Sequence, residues 1–345
     1  MASTTEHRSA TSYKVTIAGK EYSQPKDDGL QSISVEDHVD MVETMTLRLG
    51  GAEGQEKWTA EVGQVVEVKM GSGDVLLFKG EITNVKPSWG ADGLATLTLT
   101  AMDHCHRLAR GRKTRFFEKK KDSDIAQTVG SECGLSVDAE ATQEVHDYTL
   151  QRNESNYAFL KRLAARNNYQ LAVDEGKLIF KKAKTSGSPT KIKMGEGLRT
   201  HNAGLNTMEM AQKVVVRGWD IRTKKEIVGT ASSGDIEKIG GGKAGPDVAS
   251  VFGEHTAYVT DVPIQSQAQA TEVAKAEMNR LARQFLKGSG VADGNDGIRA
   301  NTVIELEGLS KGYNGKVYVI SSRHVITANS GYLTEFTFCS NTMGT

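Results

Sequence analysis

The run Gln151-Arg152-Asn153-Glu154-Ser155-Asn156-Tyr157-Ala158-Phe159-Leu160-Lys161-Arg162-Leu163-Ala164 opens polar and turns apolar at Tyr157. Glu154 and Ser155 mark a helix start, because a serine ahead of the first turn can accept from a backbone N–H that has no helical partner. Tyr157, Leu160 and Ala164 recur at spacings of three and four, with Phe159 and Leu163 beside them, which predicts one covered helical face. Asn167-Asn168 ends the pattern. Leu171 and Val173, then Asp174-Glu175-Gly176-Lys177, then Leu178 and Phe180 read as a hairpin, with Gly176 at the left-handed turn position. By periodicity alone, a capped helix followed by a hairpin is common to many folds.

Just upstream, Asp122-Ser123-Asp124 offers an N-cap for a shorter helix with Ile125 and Val129 one turn apart, stopped at Gly134. Residues 116–190 therefore read as a small α/β unit set between strand-rich regions. On its N-terminal side the period is two: Tyr13, Val15 and Ile17; Met45, Leu47 and Leu49; Val66, Val68 and Met70; Phe78 to Val85, with Pro87 just beyond; Leu97, Leu99 and Ala101. Short alternating strands with Gly-rich turns such as Gly50-Gly51 and Gly71-Ser72-Gly73 suggest a small closed barrel or a sandwich over 13–115.

Beyond the unit, strand patterns return. Val214-Val215-Val216 runs into Gly218-Trp219-Asp220, Lys225 to Val228 is its partner, and the tail alternates through Val303, Ile304 and Leu306, then Val317, Val319 and Ile320, then Leu333, Phe336 and Phe338. A long helix over 265–287 carries Ala270, Ala274, Met278, Leu281 and Phe285 on one face and is ended by Gly288. The glycines of 232–246 predict a flexible loop. A second barrel over 191–343, wrapped around or capped by that helix, is the economical arrangement. The fold class is thus mainly β with an α+β insertion: two β-barrel domains, a small α/β domain and one long helix, behind a disordered N-terminus at 1–12.

With 345 residues, 43 basic against 43 acidic side chains and 38% apolar residues, the chain can bury more than one core. It lacks the basic excess of a phosphate-backbone binder, so no nucleic acid is required. Cys105, Cys133 and Cys339 form neither a disulfide framework nor a zinc knuckle. No secretory signal or run of about eighteen apolar residues is present, so no membrane anchor is expected.

Chemistry-bearing motifs mostly fail. The glycines before Lys243 miss a phosphate loop, since position 237 is Glu and position 244 is Ala. On a strand, His104 and His106 share a face while Cys105 points away, which leaves a zinc site at two ligands. Asp27-Asp28 and Glu36-Asp37 are carboxylate pairs with no accompanying acid–base constellation. The basic run Arg107–Lys121, with Phe116 and Phe117 inside it, reads as a solvated face balanced by acidic neighbours, a polyanion contact, or an interface with an acidic subunit. These residues assign no catalytic, cofactor-binding or metal site, and the chain is expected not to be an enzyme.

The segment 151–164 closely resembles the Q-x-x-E-S-x-x-x-F-L-x-R-L-A signature of the VgrG and phage late control protein D family. Val216-Arg217-Gly218-Trp219-Asp220, followed by Lys224-Lys225-Glu226-Ile227, is similar to that family's Gly-Trp-Asp turn and strand. Weaker similarities at Phe78–Ile82, His106–Leu108, Asp124–Ala126, Asp261–Pro263 and Gly331–Phe336 extend the resemblance over nearly the whole chain. It implies a hub protein of a contractile injection machine, namely a phage tail, a tailocin, an extracellular particle or a type VI system. Two barrels per chain would form a homotrimeric ring that adapts a hexameric inner tube protein to a trimeric spike, among baseplate wedge proteins. Such a hub would assemble in the bacterial cytoplasm and end in the particle or virion. Many VgrG chains continue into a needle; this one stops at Thr345, so the expectation is a separate spike protein. The rival readings are a glycan- or polyanion-binding β-barrel module and, third, a cell-wall hydrolase.

Overall fold

A computed structural model describes residues 12–23, 29–39, 41–50, 60–71, 75–91, 95–174, 176–182, 189–327 and 330–344. The expected disorder of 1–12 therefore lies outside the described residues apart from Ser12, as does the Asp27-Asp28 pair.

The first seven strands are β1 (Tyr13–Ile17), β2 (Lys20–Ser23), β3 (Leu30–His38), β4 (Thr44–Gly50), β5 (Val65–Met70), β6 (Val75–Trp89) and β7 (Ala95–Met102). They lie in the order β3-β4-β7-β6-β5-β1-β2, every pair antiparallel. Alternate residues point inward, so Val15, Ile33, Leu47, Val68, Phe78 and Leu99 meet in one core with almost no exposed surface. Each such side chain contributes about 1.5–3 kcal/mol by leaving water. Pro87 lies inside β6 rather than beyond it. It pairs with Leu97 on one side, and β5 reaches β6 no further than Glu81, so the missing N–H breaks no ladder on the open side.

A helical turn, α1 (His106–Ala109), leads into β8 (Lys113–Lys121), α2 (Asp122–Glu132), β9 (Ser136–Ala139), β10 (Val145–Glu154), α3 (Asn156–Arg166), β11 (Tyr169–Asp174) and β12 (Lys177–Lys182). β8 and β10 form a ribbon, and β11-β12-β9 form a second small sheet. Gly176 has φ +81° and closes the β11–β12 hairpin. Leu108, Ile125, Val129, Phe159, Leu163 and Phe180 make the core of this first α/β unit. The first barrel domain, in which no pair among the described residues closes β2 onto β3, ends at Met102 rather than 115, because Cys105 and Leu108 pack with the α/β core and Lys113–Arg115 belong to β8.

The second half begins with β13 (Thr190–Met194) and β14 (Gly197–Leu205), and then departs from the sequence reading. β15 (Lys213–Asp220), β16 (Lys225–Ser232), β17 (Thr256–Val259) and α5 (Gln267–Ala282) form a second α/β unit instead of barrel wall, while the short α4 (Gly245–Ala249) packs on the second barrel's core. Its core joins Val214, Val216 and Ile227 of the sheet to Ala270, Ala274 and Met278 of α5. The chain returns through β18 (Leu286–Asp293), β19 (Val303–Glu307), β20 (Gly315–Thr327) and β21 (Gly331–Ser340). The order β19-β13-β14-β18-β21-β20, with β19 also paired to β20, closes a six-stranded barrel.

Two further expectations are corrected here. The long helix stops at Ala282, not 287, because Phe285 leaves the helical stripe to fill the second barrel's core and Leu286 already pairs with Ser340. The segment 232–246 is not a free loop. Asn341 Oδ1 accepts from Ile239 N–H at 2.9 Å, its Nδ2 donates to the Glu237 carbonyl at 2.8 Å, and Ala244 bridges Thr342. A Cβ at Gly240 would lie 2.7 Å from Thr342 Oγ1, so that glycine serves close approach rather than freedom.

One strand belongs to both barrels. Residues 315–318 of β20 pair with β19, and residues 321–327 pair with β3. A register shift between Val319 and Ser321 separates the two halves. A one-residue slip exchanges the faces of a strand. Val317 and Val319 accordingly face the second core, whereas Ile326 faces the first.

Candidate assembly interface

The candidate positions divide into those that hold the fold and those left at the surface. The segment 151–164 is scaffold throughout. Gln151, fully buried, donates from Nε2 to the Glu154 carbonyl and to Asn156 Oδ1, both at 3.0 Å, and accepts from Arg115 Nε at 2.8 Å. Ser155 caps α3 by accepting from Ala158 N–H at 3.1 Å. Arg162 reaches back to Leu150 O and Glu154 Oε1, both at 2.7 Å, and lies over the Phe159 ring. Asp122 is no cap. Burial works to raise its carboxyl, but His146, Arg166 and Asn167 hold it at about 2. Asp124 accepts from Lys121 N–H instead.

Half of the basic run, four of its eight side chains, is engaged within the chain. Arg107 clasps Glu81, Arg112 donates to the Asn153 carbonyl at 3.2 Å, and Lys113 and Arg115 both engage Glu132. His104 and His106 lie at a helical turn rather than on a strand, so the alternation assumed for them fails. Both turn toward Glu81, with His106 Nε2 at 2.9 Å and His104 Nε2 at 3.9 Å. The Arg107 hydrogen bond lowers the Glu81 carboxyl, and the carboxylate is saturated by Arg107 and His106. Among the described residues, no group of three or more His, Cys, Asp or Glu is placed to hold a metal ion. No described helix is long and apolar enough to cross a membrane.

Glu36-Asp37, read in the sequence as a carboxylate pair with no acid–base constellation, sits at the joint between the barrels. The segment between β18 and β19 inserts Arg299 between Asp37 Oδ2 at 3.6 Å and Glu43 Oε1 at 3.1 Å. Asp37 also accepts from Ala300 N–H at 3.1 Å. Asp103 lies behind them and is held by backbone donors alone, from Cys105 at 2.7 Å and Glu43 at 3.3 Å. Burial pushes its carboxyl up to about 7 and raises Asp37 as well. His324 is fully buried beside them, and burial followed by the Arg299 charge pushes it down to about 3. It is therefore a neutral ring, donating from Nε2 to the Ile298 carbonyl at 3.1 Å and accepting at Nδ1 from the Tyr332 hydroxyl at 2.8 Å. None of this joint was legible from spacing, because Asp37, Asp103 and Arg299 are distant in sequence.

Over the joint runs a groove of about 640 Å³. Met41, Val42 and Phe336 supply apolar lining, and Arg323 bridges Glu36 at 3.0 Å and Glu335 at 3.2 Å along it. Elsewhere, the Gly218-Trp219-Asp220 turn divides its labour. A Cβ at Gly218 would lie 2.7 Å from Ile264 Cβ. Asp220 Oδ1 accepts from Arg222 N–H at 2.8 Å, and Oδ2 accepts from Thr223 Oγ1 at 2.6 Å, which fixes the hairpin. Arg222 pairs with Asp147 of β10, so the two α/β units touch. Trp219 does none of this and is 59% exposed.

The Alg8 N-terminal domain family matches residues 7–328. The chain belongs to this family. No curated protein matches the sequence of this Alg8 N-terminal domain chain. In three dimensions it is similar to the 43 kDa tail protein of prophage MuSo2 from Shewanella oneidensis, at 15% identity and a TM-score of 0.71, covering 97% of this chain and 100% of the other. A tail protein from Neisseria meningitidis MC58 gives 11% identity and a TM-score of 0.72, with 96% and 97% covered. A type VI secretion system component of E. coli, described as structurally similar to bacteriophage T4 tail proteins, gives 12% and 0.61, with 95% and 76% covered. At these identities the likeness is one of fold, and the fold of this Alg8 N-terminal domain member is that of phage tail and type VI secretion proteins.

Proposed function

We propose that this chain is a non-catalytic structural hub of a contractile injection machine of the VgrG and late control protein D type. Three copies form a ring between a hexameric inner tube and a trimeric spike, among baseplate wedge proteins. The observation that carries the reading is the shared strand β20. It locks two barrels of one chain into a single 13-stranded sheet, so a trimer presents six barrels at fixed spacing. A sixfold tube and a threefold spike then meet on one rigid body. The tail-protein fold supports the same reading, as do the internal uses of the segment 151–164 and the basic run. Assembly would occur in the bacterial cytoplasm, with the hub ending in the particle.

Light scattering on the purified chain, alone and with the tube and spike proteins of its own system, tests this. The expected mass is three chains, with co-elution of both partners. A stable monomer that joins neither protein sinks the proposal.

A further inference from the structure

We propose that the hairpin tip carrying Trp219 and Ile221 of one copy docks into the barrel-joint groove of a second copy, apolar side chains inward and lysines against the acidic rim. This rests on the ring reading and names the surfaces that make it.

The tip has the chemistry of a plug. Trp219 is 59% exposed and Ile221 82% exposed. Further back along the same sheet, Tyr258, 63% exposed, pairs across from Val215 and lies under the Arg217 guanidinium. Exposed Trp, Tyr and Arg together are the composition of an interface centre rather than of ordinary surface. Gly218 and Asp220 build the turn, while Trp219 leaves most of its surface exposed. Lys224 and Lys225 flank the tip and make no ion pair among the described residues.

The groove is the complement. Its apolar lining lies under Glu36 and Glu335, and the two carboxylates share the single guanidinium of Arg323, which leaves a negative excess at the rim. Trp219 and Ile221 are not among the residues lining the groove of their own chain. Arg222 holds the tip against β10 of the first α/β unit instead. Plug and socket are thus different surfaces of one chain, and their mating is head-to-tail. Such contacts generate a ring where the rotation between copies closes, whereas a two-fold pair needs the same patch on both sides. Charge complementarity selects a second copy as the occupant.

Cross-linking between two variants tests this directly. Chains carrying Ile221→Cys and chains carrying Met41→Cys are mixed under copper–phenanthroline oxidation. The expected product is a disulfide between the two variants, absent from either alone. Both variants also carry Cys133→Ser, because Cys133 is half-buried, whereas Cys105 and Cys339 are buried and stay outside the reaction. In parallel, Trp219→Ala should weaken self-association at least tenfold by analytical ultracentrifugation with an unchanged melting curve. Lys224→Glu with Lys225→Glu should act in the same direction, and adding Glu36→Lys should restore part of the association. Three results overturn the proposal: wild-type association in Trp219→Ala, a symmetric Ile221→Cys dimer, or a ring that forms without the mixed cross-link. In the last case the ring stands and only the pairing falls. A chain that stays monomeric with tube and spike present overturns both.

Discussion

The two α/β units look alike in outline, a small sheet with a helix packed on it, yet they spend their distinctive residues in opposite directions. In the first, the segment 151–164 turns inward: Gln151, Ser155, Phe159 and Arg162 each satisfy a hydrogen bond or fill the core of their own unit. In the second, Gly218 and Asp220 shape a hairpin whose aromatic residue faces outward. A sequence signature therefore marks fold in one place and surface in another. What separates them is whether a partner for each group exists within the same chain.

That contrast can be broken at several points. Phe159→Ala should have the largest effect, a loss of about 3–5 kcal/mol in urea unfolding, since it empties a fully buried site stacked on Phe117. A loss under about 1 kcal/mol would mean the first unit is not organised around that segment. The barrel joint supplies the next test. The unfolded chain releases the Asp103 proton near pH ~4, whereas the folded chain keeps it until about 7. The contribution of Asp103 is therefore fully present below pH ~4, falls by up to about 4 kcal/mol as the pH rises to 7, and then levels. Asp103→Asn should remove this slope from a series of denaturation curves.

Asp122 has the opposite sign. Its folded carboxyl is held at about 2, so its stabilisation is present above pH ~4 and about 2.5 kcal/mol is lost as acid titrates it. Arg166→Ala should flatten that acid limb, and an unchanged limb would remove Arg166 from the account. Ser155→Ala should cost about 1 kcal/mol by freeing the Ala158 N–H at the start of α3. Trp219→Ala should come last, changing stability by no more than about 0.5 kcal/mol. A larger loss would place Trp219 in the fold, and the contrast between the two units would disappear.

Much of the local structure was readable in advance. The capped helix at Tyr157–Ala164, the Gly176 hairpin and the alternation of β1, β4, β5 and β7 follow from rules that act over a few residues. Readings failed where a residue answers to something distant. Phe285 continued a helical stripe in sequence but fills a barrel core. The 232–246 glycines resembled a loop but let the C-terminal segment pack close. His104 and His106 were read on a strand but sit at a turn facing Glu81.

The sequence by itself determined which residues alternate, which helices are capped and which motifs of chemistry are incomplete, because those properties are set by neighbours along the chain. Only the tertiary structure decided what each covered face is covered by. Val317 and Ile326 belong to the same strand and carry the same apolar signal, yet they lie in different barrels. A period of two reports that one face is buried and contains nothing about the identity of the core. One register shift between Val319 and Ser321 makes that assignment, and the joint with Asp37, Asp103 and Arg299 exists only because the two halves of β20 were placed on either side of it.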